Sequence, residues 1–323
     1  MRIGKITENA LKRSVLKQIR TEFKDIKSAA VGSDCAFSSN KRVFSSIGTV
    51  TAAVSDPGFF ASMKALAGIQ SQGLCADHVT LSVTLPVDAE ERELKDIVKG
   101  AITASKLCGV PYSGGHTEVS SAVNRALVTA TAVGYACGTE LSESKPAAGD
   151  DLVVTKWIAL EGTAMLAADK KEALTTRYPV PFIECAEGFK ALLQVKKEAD
   201  IAIASGAGAI HDVSSGGIYA ALWEMAAKAG CGLEVDLRKI PVRQETIEVC
   251  EFFEINPYEL ASCGALLVAA PDGEALVEKL EEEGIPAVVV GSLKEGNDKV
   301  IINGDERRFL ESPQADEIHK VLQ

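Results

Sequence analysis

A chain of 323 residues, 46% apolar and 24% charged, is long enough for two ordinary domains that each bury a core. The net charge of -11 and the lack of any basic run exclude nucleic acid as a partner. No apolar run approaches the ~20 residues of a membrane span, and the first residues lack a signal peptide's apolar core, so a cytoplasmic protein without membrane contact is expected.

In chain order, apolar residues at helical spacing predict an amphipathic helix over Thr7 to Arg20, and the pattern turns strand-like from Cys35 to Ser46. A helix is expected over Gly58 to Gln70 and a strand over His78 to Leu85, stopped by Pro86. The next helix, Ala89 to Cys108, has Asp88 as its expected N-cap, Glu91 in a capping box and Gly109 at C′. A Thr- and Val-rich strand follows over Arg125 to Ala136. A polar stretch around Pro146 then places the domain boundary at residue 145, giving domains 1–145 and 146–323.

The second domain repeats the mixture. It has a strand over Asp151 to Lys156, helices over Gly162 to Asp169 and Gly188 to Lys197, and a strong helix over Gly216 to Ala229 closed by Gly230. Buried strands are expected over Gly264 to Ala270 and Ala287 to Gly291. This alternation makes the class α/β (α+β).

The eight cysteines, Cys35, Cys75, Cys108, Cys137, Cys185, Cys231, Cys250 and Cys263, show no C-x-x-C spacing and are expected to be reduced small hydrophobes. Cys35, beside Asp34, is a candidate reactive thiol.

Three glycine-containing polar segments can carry chemistry. Val31 to Ala36 puts Asp34 beside a glycine, where a carboxylate could meet a phosphate-bound metal or simply close a turn. Ser113 to Glu118 offers the close backbone approach of Gly114 and Gly115 followed by His116, Thr117 and Glu118; its bland alternative is a tight turn. His211 to Gly217 runs into a helix, so Ser214, Gly216 and Gly217 could present free N–H groups to an anion, or Asp212 could merely cap. Gly206-Ala207-Gly208 is not a dinucleotide fingerprint, because His211 stands where its third glycine belongs. There is neither a P-loop nor a nucleophile elbow. His78, His319, Trp157 and Trp223 read as packing or surface residues.

Together, the strings Gly114 to Asn124, Leu160 to Ala167, His211 to Ala226 and Gly232 to Ala269 resemble the AIR synthase-like (PurM-like) superfamily, in the branch related to the hydrogenase maturation factor HypE. The resemblance implies a homodimer in which N-terminal strands of two subunits form a β-barrel, a C-terminal α/β domain, and ATP between the domains. It matches Asp34, Gly114, Gly115, His116, Thr117 and Asp212 to the family's ligand segments, beside the backbone candidates Ser214, Gly216 and Gly217; Asp34 and, as a compensating acid, Glu118 are the candidate ligands of Mg2+. No catalytic residue is assigned.

The departures are specific. Two acids of the family pattern fall on Gly48 and Gly68, and the last cysteine, Cys263, lies in a strand pattern rather than at the C-terminus, so dehydratase chemistry of the HypE type is not expected. Two functions stay open: an ATP-dependent synthase or kinase acting on a small acceptor, and a catalytically lapsed homodimeric binding or regulatory protein that retains a phosphate ligand.

Overall fold

The computed structural model describes residues 5–24, 29–37, 43–138 and 145–323. An N-terminal helix runs through α1 (Glu8–Leu11), a π-helical turn (Lys12–Leu16) and α2 (Lys17–Glu22). The first sheet has the order β1-β2-β5-β3-β4, built from β1 (Ala36–Phe37), β2 (Phe44–Val50), β3 (Cys75–Leu85), β4 (Tyr112–Val119) and β5 (Leu127–Tyr135). Its pairs are antiparallel except β3 with β4, which are parallel and joined through a helix. Part of the predicted Cys35 to Ser46 strand lies outside the described residues.

Helices α3 (Pro57–Gln70) and α4 (Glu91–Cys108) carry the first domain's core. Val79, Leu81 and Val83 of β3 and Val128, Ala130 and Ala132 of β5 are buried with Phe60, Leu66 and Ile97. Side chains on a strand alternate between faces, so Ile47, Thr129 and Thr131 look the other way. Ile47 is 69% exposed. Gly109 ends α4 in the left-handed conformation at φ 66°, as predicted. The start of α4 differs: Glu90, not Asp88, stands at the N-cap, with no side-chain hydrogen bond, because the helix begins two residues later than its periodicity suggests.

The second sheet has the order β12-β11-β8-β10-β6-β9-β7. Its strands are β6 (Asp151–Thr155), β7 (Ala209–Asp212), β8 (Gly232–Asp236), β9 (Leu266–Ala270), β10 (Ala287–Lys294), β11 (Lys299–Asn303) and β12 (Glu306–Phe309). Central strands β6 and β9 are covered on both faces. Val153, Leu266 and Val268 join the core continuous with the first domain, whereas Leu152, Val154, Leu267 and Ala269 face a second core. That second core lies under α9 (Gly217–Ala229), closed by Gly230 at φ 69°.

The remaining helices are α5 (Leu160–Asp169), α6 (Lys171–Leu174), α7 (Val180–Glu187), α8 (Lys196–Ala204), α10 (Gln244–Phe252), α11 (Gly273–Glu282) and α12 (Ile318–Val321). The single helix predicted over Gly188 to Lys197 is instead a 3-10 turn (Gly188–Leu192) followed by α8. The buried apolar spacing there serves two short elements around a bend.

The expectation of eight reduced cysteines is overturned. Cys75 and Cys137 form a disulfide across a sequence separation of 62 residues. The β3–β5 ladder pairs Cys75 with Tyr135, which brings Cys137 to the start of β3, a proximity that spacing along the chain does not reveal. Among the described residues, no helix is long and apolar enough to cross a membrane.

Candidate functional site

The four-residue strand β7 divides the His211-Asp212 pair. Alternation turns His211 toward α9 and Asp212 toward the junction between the two sheets. On the α9 side a cavity of about 740 Å³ opens between the domains. Its walls include Lys5 and Glu8 from the N-terminal segment, Val31 to Asp34, His211, and Trp223 and Glu224 of α9.

A chain of charges crosses this wall. Asp34 Oδ1 lies 2.6 Å from His211 Nδ1, His211 Nε2 lies 2.8 Å from Glu224 Oε2, and Lys5 Nζ lies 3.1 Å from Glu224 Oε1. Burial opposes charge on His211, but Asp34 and Glu224 overcome it and raise its pKa to about 10. Burial also opposes charge on Glu224, yet hydrogen bonding from His211 and the charge of Lys5 bring it down to about 2. Asp34 is held from its other oxygen by Gln72 Nε2 at 3.0 Å, which also donates to the Ile210 carbonyl at 3.3 Å. The indole of Trp223 donates to Glu8 at 2.7 Å, seating the N-terminal helix over the cavity.

On the other side of β7, the buried Lys64 of α3 reaches Glu161 Oε1 at 3.2 Å and donates to Ser215 Oγ at 3.0 Å. Burial disfavours the ammonium, but the surrounding charges of Glu161 and Asp316 hold its pKa above the ordinary lysine value. Asp212 is buried and its Oδ1 has no hydrogen-bond partner. Burial and the nearby charge of Asp34 push its carboxyl to about 7.

The predicted site residues fall in three places. Asp34 and Asp212 are electrostatic neighbours, with Asp34 on the large cavity. Gly216 lines a separate cavity of about 290 Å³ with Tyr219 and Arg308. The Ser214 carbonyl accepts from the N–H groups of Gly217 and Ser262. The predicted free amide at the start of α9 is taken: Gly216 N donates to Asp316 Oδ2 at 2.8 Å, so an acid from the chain's own C-terminal segment fills the anion position.

Gly114, Gly115, His116, Thr117 and Glu118 form part of the edge strand β4, not a turn before the next strand. Gly115, at φ 149°, packs so closely on β3 that a Cβ there would lie 1.8 Å from the Leu81 carbonyl. His116 and Glu118 pair with each other at 3.5 Å on the exposed edge.

A Mg2+ site of the implied kind does not fit these donors. A Cβ on Gly48 would meet the Ala61 carbonyl at 2.3 Å, and one on Gly68 would meet Ser46 Oγ at 2.1 Å, so both positions are a packing seam between β2 and α3. Asp34 is engaged by His211 and Gln72, and among the described residues no three His, Cys, Asp or Glu side chains are grouped to hold a metal. Cys35 is no reactive thiol either, since burial and the charge of Asp34 push it up to about 12.

Sequence reasoning missed Lys5, Lys64, Gln72, Glu161, Glu224 and Asp316. A signal existed for one of them: Lys64 is the lone charge inside an otherwise apolar helix, a position that is costly unless paired.

Two family models match the chain: AIR synthase related protein, N-terminal domain, over residues 29–136, and its C-terminal domain over 147–303. A curated relative, the carbamoyl dehydratase HypE of Rhodobacter capsulatus, is 32% identical over 205 residues, covering 61% of this chain and 58% of that protein. The chain thus spans less than two thirds of that relative's length. Among solved structures, a HypE in complex with ATP superposes with a TM-score of 0.66 at 18% identity, covering 94% of this chain and 96% of that one. A ThiL complexed with AMPPCP and TMP gives 0.69 at 16% identity, covering 95% and 100%.

Proposed function

Because the chain belongs to the AIR synthase related family, with the family's two-domain fold, we propose that it binds ATP or a closely related phosphate ligand in the 740 Å³ cavity beside Asp34 and His211. The observation that carries this reading is the cavity's construction: both domains contribute walls, its volume suits a nucleotide, and the Trp223 indole lines it. The ATP complex of a HypE and the AMPPCP complex of a ThiL, both of the same fold, support it. Trp223 lines the cavity and Trp157 does not, and these are the chain's two tryptophans. In a Trp157→Phe variant, ATP is expected to change the remaining indole fluorescence saturably. A signal flat to millimolar ATP contradicts the proposal.

The chain holds this ligand as a binding or regulatory protein rather than turning it over with magnesium. Phosphoryl transfer depends on a cationic clamp at the developing charge, and the positions that would supply its carboxylates are closed by packing at Gly48 and Gly68. One observation favours a second reading, a synthase or kinase on a small acceptor: Asp212, with a free oxygen and a carboxyl near 7, is poised as a general base. ADP release over a panel of small acceptors, lost in Asp212→Asn with ATP affinity unchanged, would establish that reading.

We also propose a homodimer through the uncovered face of the first sheet. One face lies on α3, while Ile47, Leu127 and Tyr135 on the other are 69%, 36% and 46% exposed. An antiparallel sheet with an uncovered, partly apolar face is an interface awaiting a partner. Ile47→Arg with Thr131→Lys is expected to halve the mass measured by light scattering; a wild-type chain that is already monomeric contradicts the assignment.

A further inference from the structure

The Cys75–Cys137 bond stands outside the cavity, yet it is tied to it. β3 begins at Cys75, and three residues upstream Gln72 reaches into the site, donating to Asp34 Oδ2 at 3.0 Å and to the Ile210 carbonyl at 3.3 Å. Between them, Gly73 turns at φ 74° and Leu74 is 1% exposed, so the segment is short and fixed at its middle. Cys137 lies two residues beyond the end of β5, in the stretch where the chain passes from the first sheet to the second, and it is exposed. The disulfide therefore fastens the start of the strand behind Gln72 to the point where the chain leaves the first domain.

We propose that Cys75 and Cys137 are a reversible redox modification site that sets how firmly the Gln72 corner grips Asp34 and strand β7. Exposed disulfides are the ones that exchange readily with small thiols, whereas buried ones are structural and inert. Four of the other thiols are poorly suited to this chemistry: Cys250 and Cys263 are buried, and burial pushes Cys35 and Cys250 to about 12 and Cys108 to about 11.

The exchange balances with glutathione disulfide as oxidant. The Cys137 thiolate attacks one glutathione sulfur and releases the first glutathione; the Cys75 thiolate then displaces the second, forming the protein disulfide. The two protein thiols together lose two electrons and two protons, and two glutathione thiols are produced. A dithiol reductant reverses both steps.

Oxidised protein holds β3 and β5 together at their site-proximal end. Reduction releases that end, lets the Gln72 side chain exchange its partners, and loosens the loop at Ile210. It also frees the unfolded chain from a 62-residue closure, so the melting temperature of reduced protein should fall by about 5–10 °C.

The test uses the full chain without nucleotide, so its outcome is independent of the ligand proposal. Protein is equilibrated in glutathione buffers of graded ratio, alkylated, and mapped by non-reducing peptide mass spectrometry, with hydrogen exchange measured in both forms. The expected result is a reversible Cys75–Cys137 linkage and amide exchange at residues 70–74 and 209–212 at least about tenfold faster in the reduced form. Cys75→Ser and Cys137→Ser should each exchange like reduced wild type, and Cys185→Ser like wild type in both states. Absence of the linkage at every ratio, a linkage that glutathione never reduces, or equal exchange in both forms would overturn the proposal.

Discussion

Gly48→Asp and Gly68→Asp are each expected to destabilise the protein by roughly 3 kcal/mol or more, rather than to create an acid site for magnesium. At Gly48 a Cβ meets three atoms of α3, the Ala61 carbonyl at 2.3 Å, Ala65 N at 2.6 Å and Lys64 Cβ at 2.7 Å. Two of these are backbone and cannot step aside without moving the helix. At Gly68 the nearest atoms are Ser46 Oγ at 2.1 Å and the Asp34 carbonyl at 2.9 Å, and the Ser46 hydroxyl already donates to that carbonyl. An aspartate adds to these clashes a carboxylate placed in a buried seam. Urea denaturation of each variant reports the loss as a lowered midpoint at unchanged slope. A variant as stable as wild type that gains magnesium-dependent ATP affinity would show that these positions are open acid sites after all.

The second large effect is expected at Lys64. Its ammonium is buried against Glu161, whose side chain is fully buried, so Lys64→Met leaves an acid without its counter-charge in a low-dielectric setting. Breaking a buried pair from one side costs about 3–5 kcal/mol. Glu161→Gln added to Lys64→Met removes the orphaned charge while keeping an oxygen for the Cys263 N–H, which donates to Glu161 at 3.2 Å, and should restore at least about half of the loss. The double variant's unfolding midpoint, compared with each single variant, checks this. A double variant no more stable than Lys64→Met would mean that the lysine acts through its stem or Ser215 and not through the charge of Glu161.

Much of the fold was legible because its elements follow local rules. α4 carries helical apolar spacing, and α4 and α9 end at glycines in the left-handed conformation; β5 alternates over its whole length and β3 from Val79 to Leu85. What failed depended on partners far away in the chain. The disulfide needs the β3–β5 register, and the filled anion position at α9 needs Asp316, 100 residues from Gly216. The site was legible as motif residues, Asp34 and the His211-Asp212 pair, but not as geometry. Nothing in the motif says that Ala209 to Asp212 form a strand, which is what sends His211 to one face and Asp212 to the other. Nor does a glycine in a sequence declare whether it leaves room for a ligand or, as at Gly48 and Gly68, for a helix.

The central claim is that a phosphate ligand is held in the cavity beside Asp34 and His211 without a divalent metal, because the positions that would supply the metal's carboxylates are closed by packing at Gly48 and Gly68. Isothermal calorimetry of ATP binding, run once with magnesium and once with EDTA, tests it most directly. The account predicts binding in both, with dissociation constants agreeing to within about threefold, ~0.7 kcal/mol. ATP binding that vanishes in EDTA and returns with magnesium would contradict it.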